Sequence, residues 1–210
     1  MRRERWENRI LYKERMRTVG ALEKTRQSGR ITEIMAKITR QEARDYLFGL
    51  LFETEFRGEE DPAEIYNLAC ADRQIPVDKY IKETFFGVLS KSEVLDAVIS
   101  KYSKGWRADR LSKVSRTVIR IAAYEILFVE DIPMNVSISQ AVELSLKYGE
   151  DKAKQFVNGV LSGLFKDAQA KGTEGIIAEA VETLEKKAQE MKEEPAQADA
   201  STEEESEENV

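Results

Sequence analysis

The chain contains no histidine and a single cysteine among its 210 residues. Without imidazole, neither a Ser–His nor a Cys–His nucleophile pair can be assembled, and zinc sites lose their commonest ligand. One thiol excludes an internal disulfide framework and fits a reducing compartment. That thiol, Cys70, lies in Ile65-Tyr66-Asn67-Leu68-Ala69-Cys70-Ala71, a helical pattern in which it reads as a packing residue. No apolar run approaches the ~20 residues of a membrane-spanning helix. Met1-Arg2-Arg3-Glu4-Arg5-Trp6 lacks the apolar core of a secretory signal. The glycines form no G-x-x-x-x-G-K phosphate cradle. No run alternates with period two between turn residues, so strands are not expected. These absences point to a cytoplasmic, all-α protein and give no signal for a cofactor, a metal or a His-based catalytic pair.

What is present is charge, unevenly placed. The net charge is −6. Residues 1–34 hold ten basic and five acidic residues, net +5, and residues 35–170 hold nineteen and twenty-one, net −2. Residues 171–194 hold four and seven, net −3, and residues 195–210 hold six acidic residues and no basic one, net −6. The acidity therefore belongs mainly to the carboxyl end. The central part is near neutral, so any nucleic-acid surface must be a local patch.

Helical signals fill that central part. Thr39-Arg40-Gln41-Glu42 is a capping box, with Ala43, Tyr46, Leu47, Leu50 and Leu51 as the buried stripe behind it. Asp61-Pro62 opens a second helix and Pro76 a third. Ser90-Lys91-Ser92-Glu93 reads as a second capping box, opening a helix that Gly105 ends. Val114, Val118, Ile121, Ala122, Ile126 and Leu127 mark the next helix, which Ile132-Pro133 stops. Ile138, Ala141, Val142 and Leu144 mark another, ending at Gly149, and Phe156, Val157, Val160, Leu161 and Leu164 mark the last. Asn158-Gly159 sits inside that helix against propensity, as if a backbone approached the glycine and the asparagine made a specific contact. Residues 173–192 fit a mostly polar helix with Ile176, Ile177, Ala180, Val181 and Leu184 as a narrow stripe. From Pro195 onward the composition cannot bury enough apolar area to offset ordering entropy.

Several of these runs together resemble the NusB family of bacterial transcription antitermination factors. The matching pieces are Val118-Ile119-Arg120-Ile121-Ala122-Ala123-Tyr124-Glu125-Ile126, Asp131-Ile132-Pro133, Ala141-Val142-Glu143-Leu144, Tyr148-Gly149 and Phe156-Val157-Asn158-Gly159-Val160-Leu161. Upstream, Thr39-Arg40-Gln41-Glu42-Ala43-Arg44 with Leu47, Leu50, Leu51 and Phe52 adds to them. The resemblance covers about Ala36 to Asp167. It implies an all-α, NusB-like bundle of about seven helices in two sub-bundles, dividing near Lys104 to Leu111. On it, residues 35–168 form the RNA-binding domain, 169–194 a polar helical extension and 195–210 an acidic tail. Residues 1–34 then read as an extension upstream of a natural start at Met35, or as a basic arm that helps hold RNA.

The resemblance also implies a function: a non-catalytic adaptor that binds the boxA element of ribosomal RNA leader transcripts. It would do so with NusE, a small-subunit ribosomal protein, and suppress termination, meeting RNA polymerase and other Nus factors indirectly. Some relatives self-associate, so a homodimer is among the assemblies it allows. Two other readings stay open, the NusB-like domain of a ribosomal RNA methyltransferase system and a helical protein-interaction module. The first would need a large catalytic domain, and only a polar helix and an acidic tail follow Asp167.

Candidate RNA-binding residues fall in two groups. Lys37, Arg40, Gln41 and Arg44 lie at the amino end of the first helix, where backbone donors and two guanidinium forks, four residues apart on one face, could meet a phosphate. In the richest form of the family pattern, arginines stand where this chain has Gln41 and Glu42. The resemblance implies a second contact region at the opening of the last helix, here Lys152, Lys154, Gln155, Phe156 and Asn158, where an exposed aromatic could stack on a base and amides could read its edge. Phe156 also reads as core, and Trp106 as buried. Arg116 and Arg120 read as a solvated or ion-paired face. Glu143 is expected to face a partner or an arginine inside the bundle.

Overall fold

The computed structural model describes residues 38–58, 60–103, 111–150 and 152–193, with residues 191–193 described by backbone alone. Their regular structure is helical throughout: α1 Arg40–Thr54, α2 Pro62–Asp72, α3 Lys79–Ser90, α4 Ser92–Tyr102, α5 Lys113–Phe128, α6 Met134–Tyr148 and α7 Ala153–Glu193. The expectations for residues 1–34, Met35, Lys37, Gly105, Trp106 and 195–210 lie outside the described residues.

Caps place two of the four signalled helix starts where the sequence puts them. Thr39 and Glu42 form the reciprocal box: Thr39 N donates to Glu42 Oε2 at 2.7 Å and Glu42 N to Thr39 Oγ1 at 3.2 Å. The bond from Thr39 N foremost, and a second that the Thr39 hydroxyl donates to the same Oε2 at 2.9 Å, hold the Glu42 carboxyl below its usual value. Asp61 accepts from Ala63 N at 2.9 Å, with Pro62 in the first turn of α2. Two expected starts are displaced. α3 opens at Lys79, capped by Asp78, which accepts from Ile81 N at 3.0 Å, and not at Pro76. The second capping box does not form. Ser90 is still the last residue of α3 and its hydroxyl donates to the Gly87 carbonyl, so it makes no cap for α4. Lys91 alone joins the two helices.

Packing separates two groups of helices that share one. α1 packs on α2 and α3, while α4, α6 and α7 gather around α5, which also touches α1 and α3. Ten of the sixteen α5 residues are buried, as a helix packed on several sides requires. α4 belongs with α5 and α7, so the seam falls at Lys91, not in the 104–111 stretch.

Residues 169–194 are more than a polar appendage. Gly172 adopts φ 76°, ψ 161°, a region that glycine alone enters at low cost, and this breaks α7. Beyond the break, Ile176 and Ala180 are buried, whereas Val181 is exposed. Lys101 of α4 donates to Asp167 at 3.1 Å and to Glu179 at 2.9 Å, one carboxylate on each side of the break. Tyr102 donates to Asp167 at 2.9 Å, and its ring lies where a side chain on Gly163 would collide with it. Burying Ile176 contributes about 1.5–3 kcal/mol, so two of the five expected stripe residues, Ile176 and Ala180, anchor this segment.

Candidate nucleic-acid interface

The amino end of α1 carries two arginines with different fates. Arg40 is exposed, and its guanidinium lies 4.2 Å from the centroid of the Tyr80 ring. Arg44, one turn on, is 3% exposed. Its Nε donates to Glu125 Oε1 at 2.8 Å and its Nη2 to Oε2 at 3.2 Å, a bidentate pair on a carboxylate that is 1% exposed. The Tyr80 hydroxyl donates to the same Oε1. Burial first, and the Glu125 charge second, push that phenol well above its usual value, so it remains a donor. The expectation of two solvent-facing guanidinium forks is thus corrected. Arg44 neutralises the buried Glu125, and that pair supports the Tyr80 ring on which Arg40 rests.

Beside Arg40 lies a cleft between α1 and α6. Gln41 Nε2 and Gln140 Nε2 both donate to Glu143 Oε2, at 3.2 and 3.0 Å. Glu143 is exposed and meets two amides, not an arginine inside the bundle. One turn along each helix, Lys147 pairs with Asp45 at 2.9 Å and the Tyr148 hydroxyl donates to Asp45 at 3.2 Å. The Tyr148 ring stacks on Phe48 of α1, centroids 4.3 Å apart.

That stack fixes where the second group begins. Gly149 leaves α6 in extended backbone (φ −101°, ψ −179°), and a Cβ there would sit 2.6 Å from the Ser145 carbonyl oxygen. Lys152 follows Tyr148 by four residues, a reach of at most about 14 Å. Phe48 lies about 12 Å along α1 from Arg40. The first group therefore begins at one end of the α1–α6 contact, beside Gln41 and Glu143, and the second follows its other end, beyond Tyr148 and Phe48. Lys152, Lys154, Gln155 and Asn158 are exposed, and Lys154 and Asn158 share a face. Phe156 is half-buried, while Val157, Val160 and Leu161 face the core. Gly159 differs from expectation: it is exposed and no atom lies within 4 Å of where its Cβ would be, so no backbone approaches it. Lys37 lies outside the described residues.

Residues 41–166, 126 of the 210, match the NusB family. The chain belongs to that family. The curated relatives it resembles include the transcription antitermination protein NusB of Agathobacter rectalis, 41% identical over 60% of this chain and 98% of the relative. That of Bacillus subtilis is 45% identical over 44% of this chain and 70% of the relative. Among solved structures, T. maritima NusB aligns with TM-score 0.56 and 36% identity, covering 62% of this chain and 92% of that one. A NusB chain solved with NusE and dsRNA aligns with TM-score 0.56 and 30% identity, covering 61% and 96%. The NusB family is a non-catalytic antitermination family, so the reading of this chain as a transcription factor and not an enzyme rests on membership. Among the described residues no helix is long and apolar enough to cross a membrane.

Tyr80, Glu125, Lys147 and Asp45 were not singled out in the sequence as parts of this region. Glu125 carried a legible signal: a carboxylate inside the apolar run Ala122–Leu127 needs a buried cation. Arg44 carried its counterpart, since with Leu47 and Leu51 it follows the 3–4 spacing of the buried α1 stripe.

Proposed function

We propose that this protein is a cytoplasmic RNA-binding antitermination factor that binds boxA RNA of ribosomal RNA leader transcripts together with NusE and suppresses termination there. RNA polymerase and the other Nus factors are met through that complex. The observation that carries this reading is the similarity across 96% of a NusB chain that was solved with NusE and RNA. The surface chemistry supports it. Arg40 at one end of the α1–α6 contact, and Lys152 and Lys154 beyond its other end, offer exposed cations, and Gln155 and Asn158 offer exposed amides. Cations position a phosphate backbone; amides read base edges.

The test is titration of a boxA RNA and a scrambled RNA, with and without NusE, at several salt concentrations. Arg40→Ala is expected to keep the fold, weaken both RNAs alike and flatten the salt dependence by roughly 0.7 in log–log slope, one phosphate contact on a single strand. Asn158→Ala is expected to reduce the preference for boxA. A folded Arg40→Ala protein with unchanged affinity and slope overturns this assignment of the site.

A further inference from the structure

The cleft between α1 and α6 has a chemistry that the phosphate-binding role does not use. Its walls are Gln41, Asp45 and Arg44, the last already paired with Glu125, on one side and Gln140, Glu143 and Lys147 on the other, and Leu144, 5% exposed, lies between them. A phosphate is a poor occupant, because Glu143 and Asp45 both carry negative charge and Lys147 is already engaged by Asp45. A neutral ring is a better one. Both amide donors fall on the single oxygen Oε2 of Glu143. Among the described residues its Oε1 accepts no hydrogen bond, and neither do the side-chain carbonyls of Gln41 and Gln140. The cleft therefore presents acceptors above an apolar floor, next to exposed Arg40.

We propose that this cleft is a nucleobase-reading subsite that takes an unpaired guanine, with Glu143 as the residue that selects it. The inference rests on the RNA-binding reading above. An unpaired base offers its Watson–Crick edge to a protein. Guanine alone presents two adjacent donors there, N1–H and N2–H2, which can converge on Glu143 Oε1, whose lone pairs are unused among the described residues. Uracil sets one N–H between two carbonyls that a carboxylate repels. Adenine and cytosine each pair a donor with an acceptor. Gln41 and Gln140 act as positioning residues, holding the carboxylate across the cleft by their bonds to Oε2.

The experiment uses the full chain and 12-nucleotide oligouridine RNAs whose central residue is guanosine, inosine, adenosine or uridine, with Kd read by fluorescence anisotropy at fixed salt. Inosine lacks only the N2 amine. For the wild-type protein the guanosine RNA is expected to bind about tenfold more tightly than the others, the scale of one good base contact. In Glu143→Gln, which keeps size but places a donor on the carboxylate, that preference is expected to fall to within twofold. Gln140→Ala is expected to lose part of it. Circular dichroism checks that the variants fold. RNA binding that depends on salt but shows no guanosine preference, or a preference unchanged in Glu143→Gln, overturns the subsite and leaves the RNA-binding reading standing. Absence of salt-dependent binding to any of the RNAs, and to boxA RNA with NusE, overturns that reading and the subsite with it.

Discussion

Arg44→Ala separates two accounts of the amino end of α1. If Arg44 were a surface phosphate ligand, its removal would leave the fold intact and cost RNA affinity. The structure dictates the reverse. Truncation strands Glu125, 1% exposed, without its bidentate cation, and leaves the Tyr80 hydroxyl on an uncompensated carboxylate. Breaking one side of a buried pair costs about 3–5 kcal/mol. That is a large part of the roughly 5–15 kcal/mol that holds a domain together. For a domain of this size each kcal/mol moves the melting temperature by roughly 2–4 °C, so a fall of roughly 6–20 °C is expected. Arg44→Met with Glu125→Gln removes both charges and keeps an acceptor for Tyr80, and is expected to recover most of the loss. Thermal melts followed by circular dichroism, with urea midpoints as a check, measure it. An Arg44→Ala protein that melts within 2 °C of wild type while its RNA affinity collapses would refute the buried-pair account.

Further outcomes follow from α7 and its clasp. Gly172→Ala is expected to destabilise by about 1–3 kcal/mol, because a non-glycine residue must be held at φ 76°; since no neighbour would touch the new Cβ, a melt matching wild type would mean the break is not maintained in solution. Truncation after residue 172 removes buried Ile176 and Ala180 and is expected to lower the melting temperature, whereas trimming 1–34 and 195–210, which carry no sustained apolar face, is expected to change it by no more than a few degrees. Asp167 and Glu179 have carboxyls held below their usual values, chiefly by hydrogen bonds from Lys101. Their stabilisation is present above the ordinary carboxylate range and is lost as pH falls through the lowered values. Melts from about pH 6 to about pH 3 are expected to fall less in Lys101→Met than in wild type, and parallel curves would count against the clasp.

Sequence alone settled what local physics settles. The Thr39–Glu42 box, the Asp61-Pro62 start and the stop before Pro133 depend on residues within a turn of each other, and the structure places them there. Periodicity marked the apolar stripes of α1, α5 and α7, because burial of one helix face leaves a 3.6-residue pattern. The same short-range logic failed where one residue had two local uses, as Ser90 did, serving α3 before it could cap α4. Tertiary structure decided the rest. Whether Arg44 meets solvent or Glu125 depends on a residue 81 positions away. Whether Glu143 meets an arginine or two glutamine amides depends on the approach of α1 to α6, and the hold of Lys101 on Asp167 and Glu179 depends on a glycine break that folds α7 back on α4. A charge in a sequence has no partner until packing supplies one. The helices were therefore legible residue by residue, while the division of the arginines into buried support and exposed contact was made only by the fold.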